Sequence, residues 1–294
     1  MSTMRPSIVA LVLALSGAAA RAQGNPDIYL LRLPSAPGAQ VGEPMNLTQR
    51  PGYDNQPAFT ADGKSILYTS TREDAQADIW RVDIATRAMS RVTTTAPESE
   101  YSATLRPDGK GFSMIRVEKD STQRLWRTGF DGKGDALVFE KIKPVGYHAW
   151  VDDHTVAMFV LGSPATLQVA SILTGESKVW AQNIGRSLLR VPGPRCRISY
   201  VQLDSARGNW LTLLDLDDAK PVAAPLVRMA PGADYVAWLS GSHALSLSGN
   251  TLLEWTTGDT QWRPVATLSG IQKASRLAVS PDGKWLAFVA EPLP

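Results

Sequence analysis

One cysteine in 294 residues, Cys196, excludes an internal disulfide and a thiolate metal cluster. Histidine is nearly as scarce, with three in the chain. Beyond residue 22 no run approaches the roughly 18 to 20 apolar residues that a membrane-spanning helix needs. Charge of either sign is not in excess either: 30 Lys plus Arg stand against 28 Asp plus Glu. That balance argues against a binder of nucleic-acid backbones or acidic membrane surfaces, both of which need clustered positive charge. The chain also lacks a Gly-x-Ser-x-Gly pentapeptide, the elbow that carries the nucleophile of an α/β-hydrolase.

What is present begins with an export signal. Met1 to Arg5 is a short basic start, Ile8 to Leu15 an apolar run, and Ala20-Arg21-Ala22 a small-x-small site. Together these predict a leader over residues 1–22, cleaved after Ala22, and a periplasmic or secreted location. The leader holds two arginines and no acid, so the remainder carries 28 basic and 28 acidic residues. Residues 23–294 are expected to form one domain, which a chain of this size can stabilise by burial alone.

Internal repetition decides the fold. Asp78-Ile79-Trp80-Arg81 recurs as Arg124-Leu125-Trp126-Arg127, and the set Ile28, Ile79, Leu125, Leu167, Leu211, Leu252 is spaced by 51, 46, 42, 44 and 41 residues. A second repeat runs out of phase with it: Thr60-Ala61-Asp62-Gly63-Lys64, Arg106-Pro107-Asp108-Gly109-Lys110 and Ser280-Pro281-Asp282-Gly283-Lys284. Weaker copies lie at Asp152-Asp153 and Ser240-Gly241, and a sixth is placed before Cys196 to Val201. Asp-Gly suits a tight turn because it tolerates positive φ. Each unit reads as four strands, and four-stranded units every 40 to 50 residues predict propeller blades around a central channel. The chain opens on strands three and four of a unit and ends on strands one and two. Pairing the ends would complete a sixth blade and remove exposed strand edges. The expected fold is all-β, a six-bladed propeller of four-stranded antiparallel blades.

A strand, a Pro-Asp-Gly-Lys turn, an aromatic strand and then Asp-Ile-Trp-Arg resemble the WD40-like propeller repeats of the TolB type. The resemblance covers Asp27 to Pro292 and implies the propeller part alone. TolB itself carries an additional N-terminal α/β domain, so the likeness speaks for fold more than for function.

Local motifs reduce to turns. Gly63-Lys64-Ser65 resembles the end of a phosphate loop, but Ala58 stands where the first glycine belongs and a strand follows instead of a helix. Ser280 to Trp285 resembles a sialidase aspartate box, with glycine and tryptophan each one residue early. Neither metal ligands nor a cofactor motif nor a catalytic set is expected: His148 and His154 fall at opposite ends of a strand, and His243 belongs to another blade.

The candidate site comes from repeat register. Three positions before Phe59, Leu105, Trp150, Leu189, Trp238 and Val279 stand Gln56, Ser102, Tyr147, Arg186, Tyr235 and Arg276, all able to hydrogen bond. They begin the innermost strands, which converge on the channel mouth. Flanking positions add Tyr53, Asp54, Asn55, Glu98, Glu100, Tyr101, His148 and Asp234. The ligand-binding set is expected to be Asp54, Gln56, Glu100, Tyr101, Tyr147, His148, Arg186, Asp234, Tyr235 and Arg276. Arginine forks suit carboxylates and tyrosines supply flat amphipathic contact. Asp54, Glu100 and Asp234 would make the mouth bipolar. The opposing reading is that channel water makes such positions polar in any propeller. On this basis the expected function is an exported, non-enzymatic propeller that binds a protein segment or a small polar ligand at the mouth. The alternative is a hydrolase or lyase that uses the carboxylates and His148 as acid and base.

Overall fold

The computed structural model describes residues 25–34, 40–72 and 76–293; the expected leader lies outside them. The chain opens on β1 (Asp27–Arg32) and β2 (Met45–Asn46). Blade one follows as β3 (Tyr53–Phe59), β4 (Ser65–Thr71), β5 (Asp78–Asp83) and β6 (Met89–Arg91). Blade two is β7 (Ser99–Leu105), β8 (Phe112–Val117), β9 (Gln123–Thr128) and β10 (Ala136–Leu137). Blade three is β11 (Val145–Trp150), β12 (Thr155–Val160), β13 (Thr166–Ser171) and β14 (Ser177–Gln182). Blade four is β15 (Ile184–Arg190), β16 (Arg197–Gln202), β17 (Trp210–Asp215) and β18 (Ala223–Arg228). Blade five is β19 (Val236–Ser240), β20 (His243–Ser248), β21 (Thr251–Thr256) and β22 (Arg263–Thr267), and the chain ends on β23 (Ile271–Val279) and β24 (Trp285–Pro292).

Five of the sheets are simple meanders and the sixth, in the order β2-β1-β24-β23, joins the two ends of the chain. Its seam runs antiparallel from Asp27 opposite Ala290 to Arg32 opposite Trp285. The expected six-bladed propeller and its mode of closure are both observed. Ile28 and Leu31 on β1 are wholly buried, as are Leu286, Ala287 and Phe288 on β24. Central strands buried on both faces carry continuous apolar runs, which is why Ile-Leu-Tyr and Leu-Ala-Phe segments mark second strands.

The blades pack through apolar seams. Between blades six and one, Ile28, Leu30 and Val289 meet Phe59, Ile66 and Tyr68. Tryptophans on inner strands reach back into the preceding blade: Trp150 Nε1 donates to Ser113 Oγ at 2.8 Å, and Trp238 Nε1 to Ser199 Oγ at 2.8 Å. A buried indole N–H needs such an acceptor. These contacts put the register tryptophans between blades.

The Asp-Gly turns are local. Gly63, Gly109 and Gly283 hold φ near +67°, +68° and +69°. Asp62 Oδ1 accepts from the Thr60 hydroxyl at 2.6 Å and the Lys64 amide at 3.1 Å. Asp282 Oδ1 accepts from the Ser280 hydroxyl at 2.7 Å and the Lys284 amide at 3.1 Å, which hold its carboxyl down at about 2. An asparagine oxygen can accept the same bonds. Asp62→Asn, Asp108→Asn and Asp282→Asn are therefore each expected to shift the melting temperature by less than about 4 °C at neutral pH. A depressed carboxyl pKa stabilises the fold above its ordinary value and loses that contribution as pH falls. For Asp282 the window runs from 3.8 down to about 2, and across it the stability difference between the parent and the Asn variant should shrink as pH falls. Stoichiometric calcium binding lost in any one variant would assign these residues to a metal instead.

Candidate functional site

The inner strands β3, β7, β11, β15, β19 and β23 surround the channel, and all six register residues line one cavity within it. Gln56, Ser102, Tyr147, Arg186, Tyr235 and Arg276 border a volume of about 130 Å³ together with Thr104, His148 and Ser187. A wider mouth of about 500 Å³ opens beside it, walled by Tyr53, Tyr101, Gln123 and Phe159. Gln56, Tyr147, Arg186 and Arg276 belong to both and form the partition. Past His148, Leu188 and Leu189, a third space of about 790 Å³ reaches Arg106, Asp153 and His154.

Arg276 bars the channel. From blade six it crosses to blade three, where its Nη2 donates to the Tyr147 hydroxyl at 2.8 Å. Its guanidinium carbon lies 5.1 Å from the centre of the Tyr147 ring and 4.7 Å from that of Tyr235, within cation–π range. Burial works against its charge, but the surrounding Tyr147 and Tyr235 hold its pKa above the ordinary guanidinium value. Burial pushes the Tyr53 hydroxyl up to about 12, and Arg276 draws it back only in part. Tyr101 and Tyr235 are raised by burial as well. Tyr53, Tyr101 and Tyr235 are therefore neutral donors and acceptors at physiological pH.

Backbone strain aims several of these side chains. Gln56, Ser102 and Arg276 adopt φ of +58°, +57° and +48°, in the left-handed region that residues other than glycine rarely occupy. Each sits where the pairing register slips by a bulge: between Asn55 and Ala58, Tyr101 and Thr104, and Ser275 and Ala278. Bulges re-aim side chains, and strain of about 1 to 3 kcal/mol per residue persists only where neighbours enforce it. Gln56 is so enforced: its Oε1 accepts from the Thr69 hydroxyl and the Ser102 amide, both at 2.8 Å.

The carboxylates expected beside the arginines are elsewhere, and the bipolar mouth is not formed. Asp54 is fully buried against Ser70 and is paired with Arg50 at 2.7 Å and Arg72 at 3.4 Å. Glu100 is fully buried, accepting from Arg116 Nε at 2.9 Å, the Thr93 hydroxyl at 3.1 Å and the Thr95 hydroxyl. Burial raises its pKa, against the pull of Thr95 and Arg116. Asp234 is exposed and borders a cleft between blades four and five with Arg228, Asn209 and Trp262. The bulges are the physical reason for the first two: an added residue before the channel position turns its predecessors onto the blade faces. Among the described residues neither Arg186 nor Arg276 has a carboxylate partner within ion-pair distance.

His148 lines the inner cavity yet is 5% exposed, and burial pushes its pKa down to about 3. Its Nε2 lies 2.6 Å from Ser113 Oγ. That spacing resembles a serine-histidine pair, but Ser113 is wholly buried and holds the Trp150 indole, as Ser199 holds Trp238. Its role is packing between blades. The hydrolase or lyase alternative therefore loses the convergence of Asp54, Glu100 and His148 on which it stood. Among the described residues no group of three His, Cys, Asp or Glu could hold a metal ion, and no helix is long and apolar enough to cross a membrane.

Tyr53, expected as a flanking position, does wall the mouth. One residue escaped the sequence reading as a partner of the site. Ser113 was invisible because its signal is a second-strand serine answering a tryptophan in the next blade.

Comparison with known proteins bears on the architecture. The putative TolB of Agrobacterium tumefaciens superposes with a TM-score of 0.69, at 15% identity over 92% of this chain and 100% of that one. This is the TolB-type propeller fold. TolB of Acinetobacter baumannii gives a TM-score of 0.59 at 14% identity, covering 91% of this chain and 64% of that structure. An oligogalacturonate lyase in complex with manganese gives 0.53 at 13% identity, over 81% of this chain and 88% of that one. At such identities the likeness concerns fold alone. In sequence, a 106-residue stretch is 32% identical to dipeptidyl-peptidase 5 of Porphyromonas gingivalis, spanning 35% of this chain and 15% of that protein. No family model matches the chain.

Proposed function

We propose that this protein is an exported, single-domain TolB-type propeller that binds, without chemistry, a partner carrying an anionic group at the channel mouth. The partner is a protein segment or a small polar ligand. One observation carries the reading: Arg186 and Arg276 converge on a channel walled by tyrosines, with no carboxylate partner among the described residues, while the nearby carboxylates Asp54 and Glu100 are already matched by their own arginines. Arg276 is half-buried and Arg186 exposed, and guanidinium groups without a counter-charge at a tyrosine-walled channel favour an incoming anion. Gln56, Tyr53, Tyr101, Tyr147 and Tyr235 would orient it. The leader over residues 1–22 supports export to the periplasm or the medium.

The test is recovery of the partner. Purified protein is used as bait against the envelope fraction and the medium of the source organism, beside a double variant Arg186→Ala, Arg276→Ala. The parent is expected to retain a partner that the double variant loses. Equal retention by both would move binding to the blade sides or the opposite face.

A further inference from the structure

The outer rim of the ring is not the same on every blade. A propeller leaves the last strand of each blade unpaired on its outer side, and such an edge is a template for another strand unless it is short or interrupted. β2, β6 and β10 are two or three residues long. β14, β18 and β22 are longer and share a bulge, where pairing slips at Leu167/Gln168, Leu211/Thr212 and Leu252/Leu253 of the neighbouring strand. The residue before the extra one pairs with Gln168, Thr212 or Leu253, and it is Val179 in β14, Pro225 in β18 and Pro264 in β22. Within a sheet, proline is confined to places where the missing N–H would face away from the ladder, so this position points outward in all three blades. Blades four and five lack that outward donor. Blade three keeps it.

Ladder alternation agrees with this reading. The Ser171 amide donates to the Glu176 carbonyl at 3.0 Å, which turns the Lys178 backbone inward and that of Ser177 and Val179 outward. Every residue from Leu173 to Val179 is exposed, Leu173 at 71% and Val179 at 48%. A lysine often guards an open edge, but Lys178 Nζ lies 3.7 Å from the centre of the Trp180 ring, drawn along its own blade.

The charges of this segment point to its occupant. Glu176 and Lys178 are opposite in sign and two positions apart, hence on one face of the strand, and among the described residues neither is in an ion pair. An antiparallel pairing with itself, centred on Ser177, sets Glu176 of each copy opposite Lys178 of the other. It also lays each exposed Leu173 alongside the Val179 to Ala181 end of the other strand. Opposite charges directly across a strand pair attract and like charges repel, and a two-fold interface makes every such contact twice.

We propose that β14 pairs antiparallel with β14 of a second copy, centred on Ser177, so that blade three of each ring continues into the other and two propellers stand side by side.

Sedimentation of the purified protein between about 1 and 100 µM tests this, since assembly of one chain follows mass action. The parent is expected to pass from monomer to dimer in that range. Val179→Pro gives blade three the residue that blades four and five already carry. It should remain monomeric throughout, with a melting temperature within about 2 °C of the parent when both are dilute monomers. Lys178→Glu should weaken the dimer at least about tenfold, and combining it with Glu176→Lys, which exchanges the two charges, should restore the parental affinity. A parent that is monomeric over the whole range, whatever other protein it captures, would overturn the proposal. So would a dimer that survives Val179→Pro or is indifferent to Lys178→Glu. Should Val179→Pro fail to fold, the charge exchange decides: a dimer lost in Lys178→Glu and not recovered in the exchanged variant would also count against pairing centred on Ser177.

Discussion

A chain from which Asp27 to Thr48 has been removed is expected to lose cooperative folding at room temperature. The deletion takes away β1 and β2, which supply half of blade six, and exposes the long edge of β24. Ile28, Leu30 and Leu31 are essentially inaccessible, and Leu47 nearly so. At about 1.5 to 3 kcal/mol for each fully buried side chain, four such residues match the net stability of a typical domain. An unpaired β24, apolar from Leu286 to Ala290, would also invite pairing with other chains. Size-exclusion chromatography and a thermal melt decide the matter. A monomer with the parental melting temperature would mean that the ring does not depend on its closing seam.

The second large effect concerns Glu100. It is wholly buried, and Arg116, itself 4% exposed, supplies the charge that makes this tolerable. Arg116 also pairs with Asp135 and lies 4.6 Å from the centre of the Trp126 ring. Arg116→Ala is expected to cost about 3 to 5 kcal/mol, because breaking a buried pair leaves an uncompensated charge. Adding Glu100→Gln should return a good part of that loss, since the stranded charge is then gone. Denaturant melts of the two single variants and the double variant give the coupling. Strict additivity would mean that Glu100 and Arg116 do not act as a pair.

That pair also shows what was legible in the sequence. The turns at Asp62-Gly63, Asp108-Gly109 and Asp282-Gly283, and the recurrence from Ile28 to Leu252, contain blade number, strand number and closure, because each is set by local backbone chemistry and period. Repeat register likewise marks Gln56, Ser102, Tyr147, Arg186, Tyr235 and Arg276, and all six line one cavity. Their neighbours are not legible in the same way. Counting along a strand assumes strict alternation, and the bulges at Gln56, Ser102 and Arg276 break it. Asp54 and Glu100 consequently turn into blade interfaces. Asp234 fails for another reason: it precedes β19 and lies on the side toward Trp262 instead of the channel. The crossing of Arg276 to Tyr147 joins residues 129 positions apart in opposite blades, and no local pattern announces such a contact.

The central claim is that the two channel arginines carry the binding, and the affinity of the recovered partner for Arg186→Ala tests it most directly. Arg186 is exposed and has no carboxylate partner among the described residues, so its loss should leave the melting temperature within about 2 °C of the parent. A partner seated in the channel would cover Arg186, and truncating one member of a charge pair desolvated in that way costs about 2 to 5 kcal/mol, so the dissociation constant should rise at least about 30-fold. Affinity of the parent should also fall with added salt. An unchanged dissociation constant in Arg186→Ala, at equal stability, would contradict the account and leave the channel as ordinary polar lining.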